Sequence, residues 1–302
     1  MPLAMVSDAN QLPADLPLLN DEQKTQFVRD GYIQIAGAVQ PGMVRTALRA
    51  INASIGKGFT PTKLTSCPEL VIQPVIMRLL YASPAIGYAL SLLGKAHICH
   101  VGQIALRFPG HGCLGQELQA RLQDNPVVKS VLSMLTGQLA QGKGGPDQET
   151  DVPLPIPGWE KGWHIDGVST PELRNFSLLI GVCLSDVSCQ DAGNLTVYPG
   201  SHIAIQDYAL RNGGSSSLLG IDLPLKVSVQ PAAQLMTKPG DVVLLHYQLA
   251  HSIAPNTTPN IRYMIYFRLH ALAHAPNTAR PESVENIWID YLGLKPPDHS
   301  LD

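Results

Sequence analysis

Gly162-Trp163-His164-Ile165-Asp166-Gly167 is the stretch on which the reading of this chain turns. In an extended segment residues i and i+2 project from one face, so the His164 imidazole and the Asp166 carboxylate can converge on a common point without strain. A metal ion would suit that point. A His-x-Asp pair also arises by chance, as a surface pair or a hydrogen-bonded turn, and taken alone it does not choose between the two.

The context downstream adds to it. Pro239-Gly240-Asp241 leads an apolar run ending at His246, followed by Leu249-Ala250-His251. His251 can supply a third ligand, although a lone histidine is more often a core residue bonded to backbone. Two imidazoles and one carboxylate leave positions open around Fe(II) for a chelating oxo-acid and dioxygen, whereas a closed four-ligand zinc site leaves none. Arg262 heads the run Arg262-Tyr263-Met264-Ile265-Tyr266-Phe267-Arg268-Leu269. A guanidinium in so apolar a strand needs an anion, and its fork matches a carboxylate. The alternative is a structural salt bridge, and Arg268 competes with Arg262 for the role.

Composition narrows the class. The 302 residues are 45% hydrophobic and 15% charged, which describes one globular domain over 1–302 with ample core material. A net charge of −3, without a Lys/Arg cluster, makes nucleic acid an improbable partner. Cys67, Cys99, Cys113, Cys183 and Cys189 form neither a Cys-x-x-Cys pair nor an even set, so reduced thiols are expected. No basic start with an apolar run and no membrane-length apolar segment is visible, which points to cytoplasm or an organelle matrix. The Asn-x-Ser/Thr triplets at Asn52, Asn175, Asn194 and Asn256 read as chance matches. Oligomeric state is not legible.

Periodicity and punctuation divide the chain. Asp21 to Gly31 reads as a helix capped by Asn20, with a strand Tyr32 to Ala36 after it; Pro41 opens a second helix through Ile55. A third helical stretch, Pro74 to Leu93, is kinked or divided at Pro84. Residues 1–96 are thus expected to form a mostly helical outer layer. His97 to Phe108 reads as a strand on which Gln103 and Arg107 share a face, and 111–160 as an insertion able to form a lid. From Gly162 onward short β-type runs alternate with turns: Gly162 to Val168, Phe176 to Val187, Leu195 to Tyr198, Asp241 to His246 and Arg262 to His270. The expected class is mainly β with flanking helices, an antiparallel barrel or jelly roll.

The sequence resembles the phytanoyl-CoA dioxygenase family of Fe(II)/2-oxoglutarate oxygenases. The resemblance rests on Phe27-Val28-Arg29-Asp30-Gly31-Tyr32, on Trp163-His164-Ile165-Asp166, on Gly193-Asn194-Leu195-Thr196-Val197-Tyr198-Pro199-Gly200-Ser201-His202, and on Gly240-Asp241 with His251, Pro255-Asn256 and Arg262. It implies a double-stranded β-helix of jelly-roll or cupin type, with His164, Asp166 and His251 on iron and Arg262 on the distal carboxylate of 2-oxoglutarate. It further implies Arg107 and Gln103 near the co-substrate, and His202 and His246 outside the ligand set. The implied reaction consumes dioxygen and 2-oxoglutarate, releases succinate and carbon dioxide, and hydroxylates a small-molecule or lipid-like substrate. The rival readings are a non-catalytic sensor on the same barrel and a cupin-type isomerase or hydrolase, in which Arg262 would have no co-substrate to hold. The long link from Gly110 to His164 departs from compact relatives and leaves the substrate unassigned.

Overall fold

The computed structural model describes residues 16–58, 65–109 except 98 and 100, 163–219 except 170 and 171, and 231–294 except 277. The expected lid at 111–160 and Cys113 lie outside the described residues. Helix α1 (Asp21–Asp30) begins as its sequence dictates: Asn20 Oδ1 accepts the Gln23 N–H at 2.8 Å, and the Gln23 side chain accepts the Asn20 N–H at 2.9 Å. Such a reciprocal cap is worth about 1 kcal/mol. Gly31, at φ 78°, closes the helix where a side chain could not sit, because a Cβ there would lie 2.5 Å from His202 Nδ1.

The chain before residue 96 is more than an outer layer. Strand β1 (Tyr32–Ile35) pairs antiparallel with β8 (Val242–His246) and forms one edge of the main sheet, a long-range pairing that local sequence cannot reveal. Helix α2 (Pro41–Gly56) follows, and the stretch through Pro84 is divided into α3 (Pro74–Tyr81) and α4 (Ala85–Leu93), bent by 54°. No single helix among the described residues is long and apolar enough to cross a membrane.

The expected strand from His97 is shorter: among the described residues only β2 (Gln103–Arg107) forms there. Its predecessor leaves the ladder because the Gly102 N–H is taken by Val71 O at 2.8 Å, while Ala96 makes only an isolated bridge to Ala271. Likewise, the described part of the expected strand through Val168, from Trp163 onward, is not a continuous strand. His164 makes an isolated bridge to His251, and Gly167 at φ 75° turns the chain into the two-residue strands β3 (Val168–Ser169) and β4 (Glu172–Leu173). Then come β5 (Leu178–Cys183), β6 (Leu195–Val197), α5 (Ser201–Arg211), β7 (Ala233–Gln234), β8, β9 (His251–Ile253), β10 (Arg262–Leu269) and α6 (Glu282–Glu285).

All pairings among the described residues are antiparallel. A five-stranded sheet runs β1-β8-β5-β10-β2, and a three-stranded sheet runs β7-β6-β9. The period of two sorts the large sheet into faces. Ile104, Leu178, Ile180, Val182, Val242, Leu244, Ile265 and Phe267 pack with the helices in one core. Leu179, Cys183, Val243, Leu245, Met264 and Tyr266 turn the other way and meet Leu195, Val197 and Leu235 of the small sheet. Along β10 that inner face carries Arg262, Met264, Tyr266 and Arg268, which therefore look into the space between the sheets.

The C-terminal segment locks onto this frame through a buried ring cluster. His246 stacks between Tyr247 and Tyr291, its Nε2 donating to Ile287 O at 3.0 Å and its Nδ1 accepting from Gln248 N at 3.1 Å. His202, 5.3 Å away ring to ring, donates from Nε2 to Val28 O at 3.1 Å. The His246 pattern needs a neutral ring, because Nδ1 accepts, while His202 Nδ1 is buried without a partner. Burial, and then the neighbouring His202, lowers the His246 pKa to about 3; burial lowers that of His202 to about 4. Both folded values lie below the unfolded 6.5, so the unfolded chain binds more protons below that pH. Stability is therefore full above pH 6.5 and falls as pH drops toward 4, by about 2 kcal/mol per histidine at pH 5. Thermal melts of the metal-free protein should show Tm several degrees lower at pH 5 than at 7.5, with a shallower slope in His246→Asn; an unaltered slope would contradict the assignment.

Candidate metal centre and co-substrate cradle

The small sheet places the two candidate histidine ligands face to face. His164 and His251 exchange both backbone hydrogen bonds, each at 3.0 Å, and their rings lie 4.4 Å apart. The segment before His251 is pinned by the Tyr198 to Ser201 turn: Tyr198 N donates to Ala250 O at 3.0 Å, and Ala250 N donates to Ser201 Oγ at 2.9 Å. Trp163 packs at a tilt against Tyr198, ring centroids 4.1 Å apart, on the other side. Asp166 follows on the same face, and Gly167 must be glycine for the chain to turn there, since a Cβ would lie 2.6 Å from Arg174 O.

One ligand atom from each of His164, Asp166 and His251 falls within 4.8 Å of the others. The residues fit a divalent ion chemically as well. Leu249 O, at 2.9 Å, accepts from His251 Nδ1 and so leaves the Nε2 lone pair for a metal. Burial lowers the His251 pKa to about 4, so the ring is neutral at physiological pH. Burial opposes charge on Asp166, but His251, Arg268 and His164 together outweigh it and hold its carboxyl below the usual range. Ligand atoms around a shared ion stand about 3 Å apart when each is about 2.1 Å from it. His164 Nε2 and Asp166 Oδ1 are 3.7 Å apart, so the half-exposed His164 need move by less than an ångström.

Arg262 is 1% exposed and spends its donors on neutral acceptors: Nε on Gly193 O at 2.8 Å, Nη1 on Ala105 O at 3.3 Å and Nη2 on Tyr266 Oη at 3.4 Å. Arg107 lies directly opposite in the β2–β10 register, with Nε buried and unpartnered. Burial, then the charge of Arg262, pulls the Arg107 pKa down. Neither guanidinium has a carboxylate partner among the described residues. A buried Arg262 beside a half-buried Arg107, with no acid next to either among the described residues, suits an anionic guest. Gly193, at φ 76°, permits their approach, because a Cβ would come within 3.1 Å of the Arg107 side chain and 3.3 Å of that of Arg262.

Arg268 sits elsewhere. Its Nη2 donates to Asp166 Oδ2 at 3.1 Å, its Nη1 to Gln103 Oε1 at 2.7 Å, and its guanidinium lies 5.5 Å over the Phe176 ring. The structure thus separates the two arginines between which sequence left a choice. It brings Arg107 to Arg262, and takes Gln103 to Arg268 at the opposite end of β2. Gln103 orients the cation that in turn orients Asp166, leaving Oδ1 toward the histidines.

The sequence matches the phytanoyl-CoA dioxygenase (PhyH) family over residues 27–264. The chain belongs to that family. No curated protein sequence matches significantly. Among solved structures, EctD from S. alaskensis with 2-oxoglutarate and 5-hydroxyectoine has a TM-score of 0.52 at 19% identity, covering 90% of this chain and 84% of that one. HygX from Streptomyces hygroscopicus with nickel and 2-oxoglutarate has a TM-score of 0.50 at 16% identity, covering 85% and 88%. At such identities the likeness speaks for the fold. The family's motif residues that bear no ligand atom are scaffold here: Asn194 bonds Val187 O, Cys189 O and Ala192 N, and Asn256 bonds Arg107 O. Asn175, Asn194 and Asn256 are at most 1% exposed, which removes three of the four glycosylation triplets from solvent. Sequence reasoning missed Tyr266 and the Asp166 contact of Arg268; the two-residue period from Arg262 was the available signal.

Proposed function

We propose that this PhyH-family protein is an Fe(II)/2-oxoglutarate-dependent oxygenase that hydroxylates a small molecule on a double-stranded β-helix, the five- and three-stranded sheets being its two walls. One observation carries the reading: strand β10, whose Arg268 bonds Asp166 of a His-Asp-His triad, bears on the same inward face the buried Arg262, which with Arg107 has no carboxylate partner among the described residues. His164, Asp166 and His251 hold the iron; Arg262, seconded by Arg107, holds the distal carboxylate of 2-oxoglutarate. When bound, iron and oxo-acid supply C–H oxidation coupled to release of succinate and carbon dioxide.

The chain's own contribution is placement. His251 presents Nε2 because Leu249 O fixes its tautomer, and Arg268 holds one Asp166 oxygen so that the other faces the histidines. The arginine pair favours a dianionic oxo-acid over neutral analogues, and apolar walls from Met264, Val243 and Leu245 exclude water around it. Cys67, Cys99, Cys183 and Cys189 are free thiols, which supports a reducing compartment such as cytoplasm.

The test is oxygen uptake by the Fe(II)-loaded protein. Uptake and succinate formation that depend on 2-oxoglutarate are expected, even without the native substrate, as slow uncoupled turnover. Metal binding without either would point instead to the sensor or isomerase readings.

A further inference from the structure

Tyr266 is the polar side chain on the inward face of β10 that neither the triad nor the arginine pair explains. It stands four residues beyond Arg262 and two before Arg268, the arginine that bonds Asp166. Its ring fits there because its register partner on β5 is Gly181, where a Cβ would lie 3.0 Å from Tyr266 Cε1 and 2.9 Å from Met264 Cε. With no side chain at 181, the ring reaches back toward Arg262. The phenol oxygen lies 3.4 Å from Arg262 Nη2, and Arg262 Cζ lies 6.0 Å from the ring centroid.

The hydroxyl is placed as a donor with nothing to donate to. Tyr266 is 6% exposed, among Leu179, Cys183, Val243, Leu245 and Met264. A buried hydroxyl ordinarily both accepts and donates. This one accepts from Arg262, and its own proton has no acceptor among the described residues. The bond it accepts is longer than the usual range of about 2.7–3.2 Å, so it uses little of either group's capacity. Burial raises the phenol's pKa, although the charge of Arg262 opposes the rise, so the O–H keeps its proton at physiological pH. Asp166 adds to the rise, which places the phenol within the field of both the triad and the cradle.

We propose that Tyr266 is a specificity-determining residue of the co-substrate cradle: its hydroxyl donates to the distal carboxylate of the oxo-acid that Arg262 holds. The assignment rests on the oxygenase reading and adds to it a second, neutral donor. An ionised carboxylate has about four lone-pair sites and can accept from a guanidinium and a phenol together. The two donors discriminate differently. The charge of Arg262 attracts any anion, whereas a single O–H, coming from the Arg268 side of Arg262 on the strand, rewards only an acceptor at one place along the oxo-acid. A hydrogen bond to a charged acceptor is also about twice as strong as one between neutral groups, so the phenol favours a carboxylate over an apolar end.

The experiment is calorimetry on the full chain loaded with Ni(II), wild type and Tyr266→Phe, titrated with 2-oxoglutarate and with 2-oxopentanoate. The second acid keeps the chelating end and the chain length but carries a methyl in place of the distal carboxylate. Tyr266→Phe should weaken 2-oxoglutarate about tenfold and leave 2-oxopentanoate no weaker than in wild type. Thermal melts supply a readout that a merely structural hydroxyl would not give. The ligand-free variant should melt with the wild type, because no acceptor loses a proton donor, while the rise in Tm produced by 2-oxoglutarate should shrink. Unchanged 2-oxoglutarate affinity in Tyr266→Phe overturns the proposal, as does equal weakening of both acids, which would make the ring a matter of pocket shape. A wild-type protein that binds Ni(II) but not 2-oxoglutarate defeats the oxygenase reading itself, and the role of Tyr266 with it.

Discussion

Replacing Arg262 by alanine is expected to raise the 2-oxoglutarate concentration for half-saturation by about 30-fold or more, since losing one partner of a buried charge pair costs roughly 2–5 kcal/mol. The expectation follows from the environment of the side chain. Arg262 is buried, its three hydrogen bonds go to Gly193 O, Ala105 O and Tyr266 Oη, and its neighbour Arg107 is also a cation. Before a dianion binds, this pair is an unfavourable arrangement of like charge, whose relief partly offsets the lost packing and hydrogen bonds, so alanine should lower the melting temperature only moderately. A salt bridge in the same place would behave in the opposite way, with a large loss of stability and no change in co-substrate demand. Arg262→Lys keeps the charge but loses the fork, and should fall between wild type and alanine in a 2-oxoglutarate saturation curve.

Loss of a triad member should have a larger effect. His251→Ala or Asp166→Ala is expected to weaken Mn(II) binding by at least about 100-fold, beyond the range typical of losing a mere supporting contact, and to abolish turnover while the far-ultraviolet dichroism is retained. The two variants should differ in stability. Asp166→Ala leaves Arg268 with only Gln103 and the Phe176 ring, so it should destabilise the fold, whereas Asp166→Asn keeps an acceptor at Oδ2 and should not. Isothermal titration with Mn(II) beside a thermal melt separates these effects. Near-wild-type affinity in either alanine variant would remove that residue from the ligand set.

Much of this was legible because it is local. The i, i+2 geometry of His164 and Asp166, the Asn20 cap, the division of the helix near Pro84 and the alternation along β10 all follow from neighbours in sequence. The parts that were not legible depend on pairing. That β1 completes the main sheet follows from its register with β8, and that the strand from His97 begins only at Gln103 follows from Val71 taking the Gly102 N–H. The choice between Arg262 and Arg268 was open for the same reason. Both lie on one face of one strand, and only the β2 register, which sets Arg107 opposite Arg262 and Tyr266 opposite Gln103, shows which end each serves. Gln103 accordingly shares a strand face with Arg107, as its spacing suggests, yet its amide oxygen meets Arg268.

The most direct measurement is anaerobic titration of the Fe(II)-loaded protein with 2-oxoglutarate, following the weak visible charge-transfer band that bidentate chelation produces. A band that saturates near one equivalent, and that in Arg262→Ala requires about 30-fold more 2-oxoglutarate, is the predicted result. Bound iron with no band at any 2-oxoglutarate concentration would contradict the pairing of triad and arginine cradle in a single oxygenase site.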